Sequence, residues 1–379
     1  MRVLLFHFAQ LGAVGGVEAV TLMLASGLRK RDCATGIVES LPRQGHKRLL
    51  DDHIPVWGVV SSTLPVRYRP RSWASFLRAT LHFCRAVREF KPHIVHVHYP
   101  AGQSIPVVGA DFLPHTWRLV VTLHGSDVRS VPAAEPGLVA WQGRLLERAS
   151  VVTAVSRGLL REALSLFPSI AEKARVIPNG VSDWWVTDGA RDSRPEVAYA
   201  LFVGRLHEVK GVDLLLQAWQ LAGPKLPGIQ LWIAGDGPTH ASLVSQVSAL
   251  GLSSSVRFLG SKTREELRSL FSNAEVVVMP SRNEGSPLTL LEAKASGSVC
   301  VATRVSGIAE IIEDGVSGFL VEPESPAALA MGMLRALSLP SERRLAIKRA
   351  AQARVHREFT EDKMIEAYLS VYSSLLSKR

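Results

Sequence analysis

The sequence predicts an α/β protein built from two halves, each with a mainly parallel sheet. Short apolar runs, typical of strands covered on both faces, alternate with amphipathic segments of helical period in both halves. Turns rich in Gly, Ser, His and charged residues follow several of these runs, at the carboxyl ends where open α/β sheets bind ligands. A length of 379 residues fits two domains of ordinary size.

Four buried strands are predicted in the first half, at residues 3–6, 94–98, 119–123 and 151–155. Three helices accompany them, over residues 17–28, 73–90 and 157–166. Ser156 directly precedes the third helix and is its expected N-cap. Residues 40–75 contain several Pro, Arg and Ser without a clear period, so we expect irregular structure there. Residues 176–181 should form one more strand that ends in a turn.

The second half repeats this alternation. Its predicted strands lie at residues 199–203, 231–234, 256–259, 276–279 and 299–302. Its predicted helices cover residues 212–221 and 265–271 and begin again at Ser286 and Ser306. Ser286 is the expected N-cap of its helix, with Pro287 in the first helical position. Residues 315–321 resemble a final pair of strands, and residues 326–378 an amphipathic helical tail with a break near Pro340.

The boundary between the two halves is expected at residues 182–195, which are polar and lack periodicity. Two such halves are most simply arranged with their sheets facing each other across a ligand cleft. The chain contains 47% hydrophobic and 21% charged residues, which excludes a disordered protein. No apolar run reaches the roughly 18 residues of a membrane-spanning helix. The N-terminus lacks the features of a signal peptide, and three widely spaced cysteines fit a reducing cytoplasm.

The net charge of +10 lies mainly in the first half. Six arginines between residues 67 and 88 are interleaved with Trp73, Phe76 and Phe83; they are Arg67, Arg69, Arg71, Arg78, Arg85 and Arg88. Such a segment would suit an anionic membrane surface or an anionic acceptor, although a solvated helix face gives the same pattern. No nucleic-acid-binding motif accompanies the charge, so nucleic acid is not an expected partner.

Two groups of residues in the first half stand at the expected carboxyl ends of strands. Gly15 and Gly16 could admit a ligand close to the backbone, although they equally suit a tight turn, and the GxGxxG fingerprint is absent. His124 is a candidate polar anchor or proton-handling group, or alternatively a histidine that caps the core. His96 and His98, which alternate in the preceding strand, are expected to be structural.

The second half carries charged residues whose spacing suits a diphosphate. Arg205 and Lys210 straddle the loop after the strand at 199–203, where two cations can converge on a phosphate. Glu284 precedes the helix that starts near Ser286, and Glu292 lies about two turns into it. The free amides and the dipole of the helix start attract anions. Taken alone, this segment is equally consistent with an ordinary strand–loop–helix unit that carries two surface acids.

Together, these motifs resemble the retaining nucleotide-sugar glycosyltransferases of the GT-B fold, and within them glycosyltransferase family 4. The motifs that carry the resemblance are Gly204-Arg205-Leu206, Lys210-Gly211, Gly235-Asp236-Gly237 and the pair Glu284 and Glu292. The likeness covers nearly the whole chain and is strongest over residues 176–325. It implies an α/β architecture of two Rossmann-like α/β/α domains: an acceptor-binding domain at residues 1–182 and a donor-binding domain at 183–355. A C-terminal helix, residues 356–379, would cross back to the first domain.

The resemblance also implies a role for each matching residue. Arg205 and Lys210 would neutralise the donor diphosphate as it leaves. Glu284 and His124 would meet the donor sugar, and Glu292 would bind the ribose hydroxyls. The other implied donor-binding residues, which line the sugar, phosphate or base pocket, are Gly15, Gly16, Gly204, Gly235, Phe258, Gly285, Ser286 and Leu288. Leu288 enters this set because Pro287 has no amide hydrogen to donate.

The implied activity is retaining, front-face transfer of a hexosyl group from a nucleotide-diphosphate sugar to a glycan or lipid-linked acceptor, in polysaccharide or glycolipid assembly. No metal and no other cofactor are expected. The implied location is the cytoplasm, with peripheral attachment to the inner face of the membrane if the basic segment binds lipid. Two alternatives stay open: a nucleotide-sugar 2-epimerase or phosphorylase-like enzyme on the same fold, and a non-catalytic nucleotide-sugar-binding module.

Overall fold

The computed structural model describes residues 1–9, 11, 15–41, 47–50, 53–60, 70–110, 115–186 and 196–377. Arg67, Arg69, the side chain of Arg71 and the linker residues 187–195 lie outside the described residues. The chain divides into a first unit, Met1–Pro178 with Glu361–Arg379, and a second unit, Asn179–Thr360. The domain boundaries predicted after residues 182 and 355 stay predictions.

The described strands of the first unit are β1 (Arg2–His7), β2 (Ala34–Leu41), β3 (Lys47–Leu49), β4 (Pro55–Val60), β5 (Ile94–His98), β6 (Arg118–Leu123), β7 (Val151–Ala154) and β8 (Ala174–Val176). Its described helices are α1 (Gly16–Arg29), α2 (Pro70–Phe90), α3 (Ile105–Ala110), α4 (Ser126–Arg129), α5 (Pro136–Arg148), α6 (Arg157–Leu166) and, at the end of the chain, α14 (Glu361–Ser377). The strands form one sheet in the order β3-β4-β2-β1-β5-β6-β7-β8. The pairing is parallel except between β3 and β4.

The strand order of the first sheet reverses at β1, which pairs with β2 on one side and β5 on the other. Chains leave β1, β5 and β6 at the same edge, so the residues that follow these strands come together there. In register, His7 of β1 lies beside His98 of β5, and His98 lies beside Thr122 of β6. The topology therefore gathers histidines at the carboxyl edge of this sheet.

The C-terminal helix α14 is part of the core of the first unit. The Tyr372 hydroxyl lies 2.6 Å from Nδ1 of His96, and the Tyr368 hydroxyl lies 3.1 Å from that of Thr122. Both tyrosines are essentially fully buried. These bonds satisfy polar groups that burial would otherwise penalise, and they fix α14 to the middle of the sheet.

The described strands of the second unit are β9 (Ala198–Val203), β10 (Ile229–Ala234), β11 (Val256–Gly260), β12 (Val276–Met279), β13 (Cys300–Thr303) and β14 (Phe319–Val321). Its described helices are α7 (Val212–Ala222), α8 (His240–Ala249), α9 (Arg264–Asn273), α10 (Leu288–Ala295), α11 (Ser306–Ile311), α12 (Pro326–Leu337) and α13 (Ser341–Glu358). They form a parallel sheet in the order β11-β10-β9-β12-β13-β14. The order reverses at β9, so the loops after β9 and β12 meet at its carboxyl edge. Fully buried Phe202 and Trp219 belong to the core behind this edge.

Most predicted strands and helices occur within a few residues of their expected bounds. Ser156 caps α6 as predicted, because its hydroxyl accepts the Leu159 amide at 3.2 Å. The expectation of irregular structure over residues 40–75 is wrong for β3, β4 and the start of α2. β4 is paired on both sides, with β2 and β3, and these long-range partners leave no trace in the local pattern.

Three smaller predictions near the boundaries of the second unit are correct only in part. The strand predicted at 176–181 is β8, which ends at Val176. Residues 315–321 contain the single strand β14, Phe319–Val321, rather than a pair. The helical tail breaks near Pro340 as predicted, but it breaks again between α13 and α14.

Helix α2 has an inner face that packs into the core and an outer face that is partly apolar. Phe83 and Ala86 are fully buried, whereas Trp73, Leu77 and Leu81 are each more than half exposed. Within the described ranges, the helices all fall short of the length and apolar content needed to cross a membrane.

Candidate active site

The loop after β9 lies backbone to backbone against the loop after β10. The Gly204 amide donates to the Ala234 carbonyl at 3.0 Å, and the Gly235 amide donates to the Gly260 carbonyl at 2.8 Å. Gly235 has a φ of +135°, and a Cβ atom there would collide with the carbonyl of Gly204. The structure thus brings the predicted residues Gly204 and Gly235 together, and position 235 requires glycine for both conformation and space.

Lys210 ends a short 3₁₀ helix, Glu208–Lys210, in the loop after β9. Gly211 follows with a φ of +67°, and a Cβ atom on it would collide with the carbonyl of Pro280. This close approach places Lys210 beside the loop that follows β12. Arg205 lies in the same loop as Lys210 but is exposed, and no hydrogen bond joins it to another described residue.

Lys210 and Glu284, two of the predicted site residues, form an ion pair. Lys210 Nζ lies 2.6 Å from Oε1 of Glu284, and the Ser281 hydroxyl donates to the same oxygen at 2.9 Å. The side chain of Glu284 is 9% exposed, whereas that of Lys210 is 30% exposed. The two donors offset the cost of burying the carboxylate, and the exposed part of the lysine keeps its charge available to a ligand.

Arg282, which the sequence analysis did not single out, holds the two loops of this ion pair together. Its guanidinium donates to both carboxylate oxygens of Asp213 on α7, at 2.8 and 2.7 Å, and to the Glu208 carbonyl at 2.6 Å. Its backbone amide donates to the Val209 carbonyl at 2.8 Å. Although burial acts to raise the pKa of Asp213, the hydrogen bonds and charge of Arg282 lower it. Arg282 therefore fixes the β12 loop relative to the loop that carries Lys210.

The start of α10 differs from the prediction by one residue. Pro287 has an extended backbone and is the N-cap, since the amides of Leu290 and Leu291 bond to its carbonyl at 3.1 and 3.4 Å. The prediction that Ser286 caps this helix is wrong. The Ser286 hydroxyl is buried without a hydrogen-bond partner in the described part of the chain, and its carbonyl accepts from Nδ2 of Asn179 at 2.8 Å. Leu288 is then the first helical residue, whose amide lacks an intrahelical acceptor.

Glu292 lies one turn further along α10, apart from the Lys210–Glu284 pair. None of the described residues donates a hydrogen bond to its carboxylate. Burial raises its pKa to about 7, and the charge of Arg264 opposes that shift only in part. A carboxylate that is enclosed and unpaired is ready to accept hydrogen bonds from a hydroxyl-bearing ligand.

Two further predicted residues flank this edge of the second sheet. Gly285 lies against α11, where a Cβ atom on Gly307 would collide with the Gly285 carbonyl. Phe258 of β11 packs edge-on against His240, with ring centroids 5.2 Å apart, and stays partly exposed. Phe258 therefore offers an aromatic surface two strands away from Lys210.

In the first unit, Gly15 and Gly16 form the start of α1. Gly15 is the N-cap in an extended conformation, and its carbonyl accepts the Ala19 amide at 3.1 Å. A Cβ atom added to Gly16 would meet no other atom within 4 Å, so packing within the described protein does not require glycine there.

His124 follows β6 and belongs to a cluster of neutral imidazoles. Its Nε2 lies 3.1 Å from Nδ1 of His98, and its backbone amide donates to the Asp127 carboxylate at 2.9 Å. Burial lowers the pKa of His7 to about 4 and the pKa values of His96 and His124 to about 3. His124 is partly exposed, unlike His96 and His98, so it is the member of the cluster that a ligand can reach.

Comparison with known proteins follows the same two-part division. The model of the family described as Glycosyltransferase Family 4 matches residues 14–184, and that of Glycosyl transferases group 1 matches residues 188–354. The glycogen synthase of Mycobacterium tuberculosis is 31% identical over 305 residues, which cover 77% of this chain and 70% of that relative. The chain belongs to glycosyltransferase family 4.

Solved structures give the fold of this glycosyltransferase. Sucrose-phosphate synthase from Thermosynechococcus elongatus superposes with a TM-score of 0.85 and 21% identity, over all of both chains. Anabaena Alr3699/HepE, solved in complex with UDP-glucose, has a TM-score of 0.77 and 21% identity and covers 99% of this chain. The α/β architecture with two parallel sheets is therefore the GT-B fold that the sequence motifs implied.

Asn179 and Ser281 of the glycosyltransferase contact predicted site residues but were not predicted, and neither was Arg282, which contacts Asp213 and the loop that carries Lys210. Asn179 lies in a Pro-Asn-Gly sequence that indicates only a turn. The sequence therefore does not predict the hydrogen bond from Asn179 to the carbonyl of Ser286. Arg282 is separated from Asp213 by 69 residues, so no spacing rule could pair them. Among the residues that the structure describes, no three His, Cys, Asp or Glu side chains are grouped as a metal site.

Proposed function

We propose that this glycosyltransferase transfers a hexosyl group, with retention of configuration, from a nucleotide-diphosphate sugar to a glycan or lipid-linked acceptor. The Lys210–Glu284 ion pair at the carboxyl edge of the second sheet carries the proposal. A cation at this place can meet a departing diphosphate, and a carboxylate beside it can bind sugar hydroxyls. The complex of Alr3699/HepE with UDP-glucose supports a donor of this class.

Lys210 and Arg205 supply the charge that the reaction needs. Breaking the bond between the sugar and the diphosphate leaves negative charge on the phosphate oxygens, and fixed cations stabilise that charge in the transition state. Lys210 is anchored by Glu284, whereas the exposed Arg205 has a guanidinium that can close on phosphate as a planar fork. We assign no metal to this step, because the two cations can neutralise the diphosphate themselves.

We do not assign Glu284 as a covalent nucleophile. Its Oε1 already accepts from Lys210 and Ser281, so it is oriented as a hydrogen-bond acceptor for the sugar. We therefore propose front-face transfer, in which the acceptor attacks from the side that the diphosphate leaves. Water must be kept from the oxocarbenium-like transition state for this reaction to avoid hydrolysis.

The remaining donor-binding roles are assigned to groups that have no hydrogen-bond partner or that stay partly exposed. The Glu292 carboxylate would accept hydrogen bonds from the ribose hydroxyls, and Phe258 would offer a stacking surface to the base. The amide of Leu288 and the unpartnered hydroxyl of Ser286 would bind phosphate or sugar oxygens. The backbone of Gly285 would support the sugar and the phosphate. In the first unit, Gly15, Gly16 and His124 would contact the diphosphate, the acceptor or the donor sugar.

The experiment is turnover of a panel of nucleotide sugars, beginning with UDP-glucose, with glycan and lipid-linked acceptors. We expect the Lys210→Met and Glu284→Gln variants to lose about a hundredfold or more in kcat/KM. Lys262→Met is the matched control, because Lys262 forms a similar ion pair with Glu266, 2.9 Å apart, on the surface of the same unit. Equal activity of all three variants would exclude the site assignment, and inversion at the anomeric carbon would exclude the retaining mechanism.

The same assay separates the alternative functions. A 2-epimerase would convert the donor without an acceptor, and a phosphorylase-like enzyme would show the absorbance of a bound pyridoxal group. Tight donor binding without turnover on any acceptor would instead identify a nucleotide-sugar-binding module.

We also propose that the enzyme acts at an anionic membrane surface on the cytoplasmic side, which would give it access to lipid-linked acceptors. The outer face of α2 exposes Trp73, Leu77 and Leu81, at 55, 57 and 57%, in successive turns. Three exposed arginines accompany this apolar stripe: Arg78, Arg85 and Arg88. Arg85 is partly neutralised by Glu89, 3.0 Å away, but the face stays positive. Apolar side chains flanked by arginines suit the interface of an anionic bilayer, and three unpaired cysteines fit a reducing compartment.

Vesicle flotation tests this attachment. We expect binding to vesicles that contain phosphatidylglycerol, weaker binding to phosphatidylcholine alone, and loss of binding at high salt. Leu77→Ser with Leu81→Ser should abolish binding, whereas Met331→Ser, at an exposed apolar residue of the second unit, should not. Absence of binding at low salt would exclude the membrane proposal without affecting the proposed reaction.

A further inference from the structure

The pair formed by His98 and His124 determines which side of the His124 ring can donate a hydrogen bond. Nδ1 of His98 and Nε2 of His124 are 3.1 Å apart, so one of these nitrogens carries the shared proton and the other accepts it. A neutral imidazole carries one proton, and therefore the direction of this bond fixes the protonated nitrogen of both rings.

The other nitrogen of His98 decides between the two directions. Nε2 of His98 is buried and has no hydrogen-bond partner among the described residues. If His98 accepted the bond, its proton would sit on Nε2 as a buried donor without an acceptor. If His98 donates the bond, Nε2 is instead a bare acceptor. Buried unpaired N–H donors are rarer in proteins than unpaired acceptors, so donation by His98 is favoured.

The direction of this bond determines whether the accessible nitrogen of His124, Nδ1, carries a proton. When Nε2 of His124 accepts from His98, the proton of His124 must lie on Nδ1. No described residue is hydrogen-bonded to Nδ1, and it is not among the fully buried unpartnered atoms. Burial and the charge of neighbouring histidines also lower the pKa of His98 far below its usual value, so the pair stays neutral near pH 7.

The backbone fixes the position of the His124 ring. The Asp127 carboxylate accepts the amides of His124, at 2.9 Å, and Gly125, at 2.6 Å, and Asp127 is itself buried. The Gln142 side chain donates to the Asp127 carbonyl at 2.7 Å. The loop is therefore held independently of His98, and a change at His98 should affect the proton of His124 more than its place.

We propose that His98 is a positioning residue that holds His124 in the tautomer protonated on Nδ1, so that His124 presents an N–H donor to an oxygen of the bound ligand. That the oxygen belongs to the donor sugar rests on the proposed function. His124 is then a neutral hydrogen-bond donor and not a general base, since its accessible nitrogen already carries the proton. A sugar hydroxyl in that place would be bound through its oxygen lone pair.

Nitrogen NMR of the full chain with ¹⁵N-labelled histidine tests the tautomer directly, because protonated and bare ring nitrogens resonate in separate regions. The His124 signals are assigned by their loss in a His124→Gln variant. We expect protonation of Nδ1 and not Nε2 in the wild-type protein without ligand. The opposite tautomer, or a mixture of the two, would overturn the proposal, and this measurement needs no substrate.

Variants at His98 test whether His98 determines the tautomer of His124. His98→Phe should release the tautomer of His124 into a mixture, whereas His98→Asn can place an amide N–H near the former Nδ1 and should retain it. His96→Asn is the matched control, since His96 is equally buried on the same strand but bonds to Tyr372 and Thr122. A mixed tautomer in His96→Asn, or an unchanged one in a folded His98→Phe, would overturn the positioning role.

Turnover then connects the tautomer to the reaction. We expect kcat/KM to fall about tenfold in His98→Phe and to recover largely in His98→Asn. Equal activity of the two variants would exclude a functional role of the tautomer. If the wild-type protein turns over no nucleotide sugar, the proposed function fails, while the NMR result for the tautomer stands on its own.

Discussion

The carboxyl edge of the first sheet is lined by histidines that stay neutral, whereas that of the second sheet is lined by ionic side chains. Burial lowers the pKa values of His7, His96 and His124, so these rings serve as neutral hydrogen-bonding groups. In the second unit, Lys210 with Glu284 and Arg282 with Asp213 form ion pairs. The two units thus offset the cost of burying polar groups in different ways: the first keeps its histidines neutral, and the second pairs opposite charges.

Lowering the pH should destabilise the first unit more than the second, and this should be the largest difference between them. A histidine whose folded pKa is lowered stabilises the fold above its unfolded pKa of about 6.5, and this contribution is lost as the pH falls. The fully buried His96, with a folded pKa of about 3, should alone cost the first unit of the order of 3 kcal/mol at pH 4. Pulsed hydrogen exchange after equilibration in urea at neutral and acid pH would show β5 and β6 losing protection first. Earlier loss in β9 and β12 would contradict the comparison.

Removal of the Arg282 clamp should have the next largest effect, confined to the second unit. Arg282→Met leaves the Asp213 carboxylate without its two hydrogen bonds, and we expect a loss of about 2–3 kcal/mol in the free energy of unfolding. Because the two loops are no longer held together, kcat/KM should also fall about tenfold to a hundredfold. Arg304→Met is the matched control, since Arg304 makes longer surface ion pairs, 3.5 Å to Asp314 and 3.6 Å to Glu322. Urea denaturation and steady-state kinetics measure both effects, and equal behaviour of the two variants would refute the clamp.

Because of Glu292, the stability of the second unit should change with pH in the opposite direction to that of the first unit. Its folded pKa of about 7 exceeds its usual value of 4.5, so its contribution to stability is full below pH 4.5 and is lost as the pH rises to about 7. Glu292→Gln removes this loss and should stabilise the ligand-free protein by about 1–2 kcal/mol at pH 8, with little difference near pH 4. The same variant should bind the nucleotide sugar more weakly. Thermal melts across pH with and without donor measure both, and a variant less stable at pH 8 would argue against an unpaired carboxylate.

The smallest expected difference between the two units concerns Ser156 and Ser286, the two serines predicted to be N-caps. Ser156 caps α6, and Ser156→Ala should cost the first unit about 1 kcal/mol. The Ser286 hydroxyl has no partner among the described residues, so Ser286→Ala should leave the stability of the ligand-free second unit unchanged within about 0.5 kcal/mol. Donor affinity should nevertheless fall in Ser286→Ala if that hydroxyl binds the ligand. Denaturation curves and calorimetric titration with donor test the pair, and equal losses of stability would show that both serines act as caps.

The local pattern was sufficient wherever a segment's own residues mark it as buried. The apolar runs of β1, β5, β9 and β12 are buried on both faces, and their composition alone identifies them. β4 escaped prediction because its identity depends on pairing with β2 and β3 rather than on its own residues. The cap of α10 was misplaced because Asn179, far away in the chain, binds the carbonyl of Ser286.

The sequence by itself determined the two α/β halves, the family and the presence of charged residues in the loops after β9 and β12. Composition and periodicity carry that information, since they set which segments must be buried and which turns must be polar. Only the tertiary structure decided which residues are partners: Lys210 with Glu284, Arg282 with Asp213, and His98 with His124. Hydrogen bonds act over about 3 Å, and only folding brings residues from distant parts of the chain within that distance.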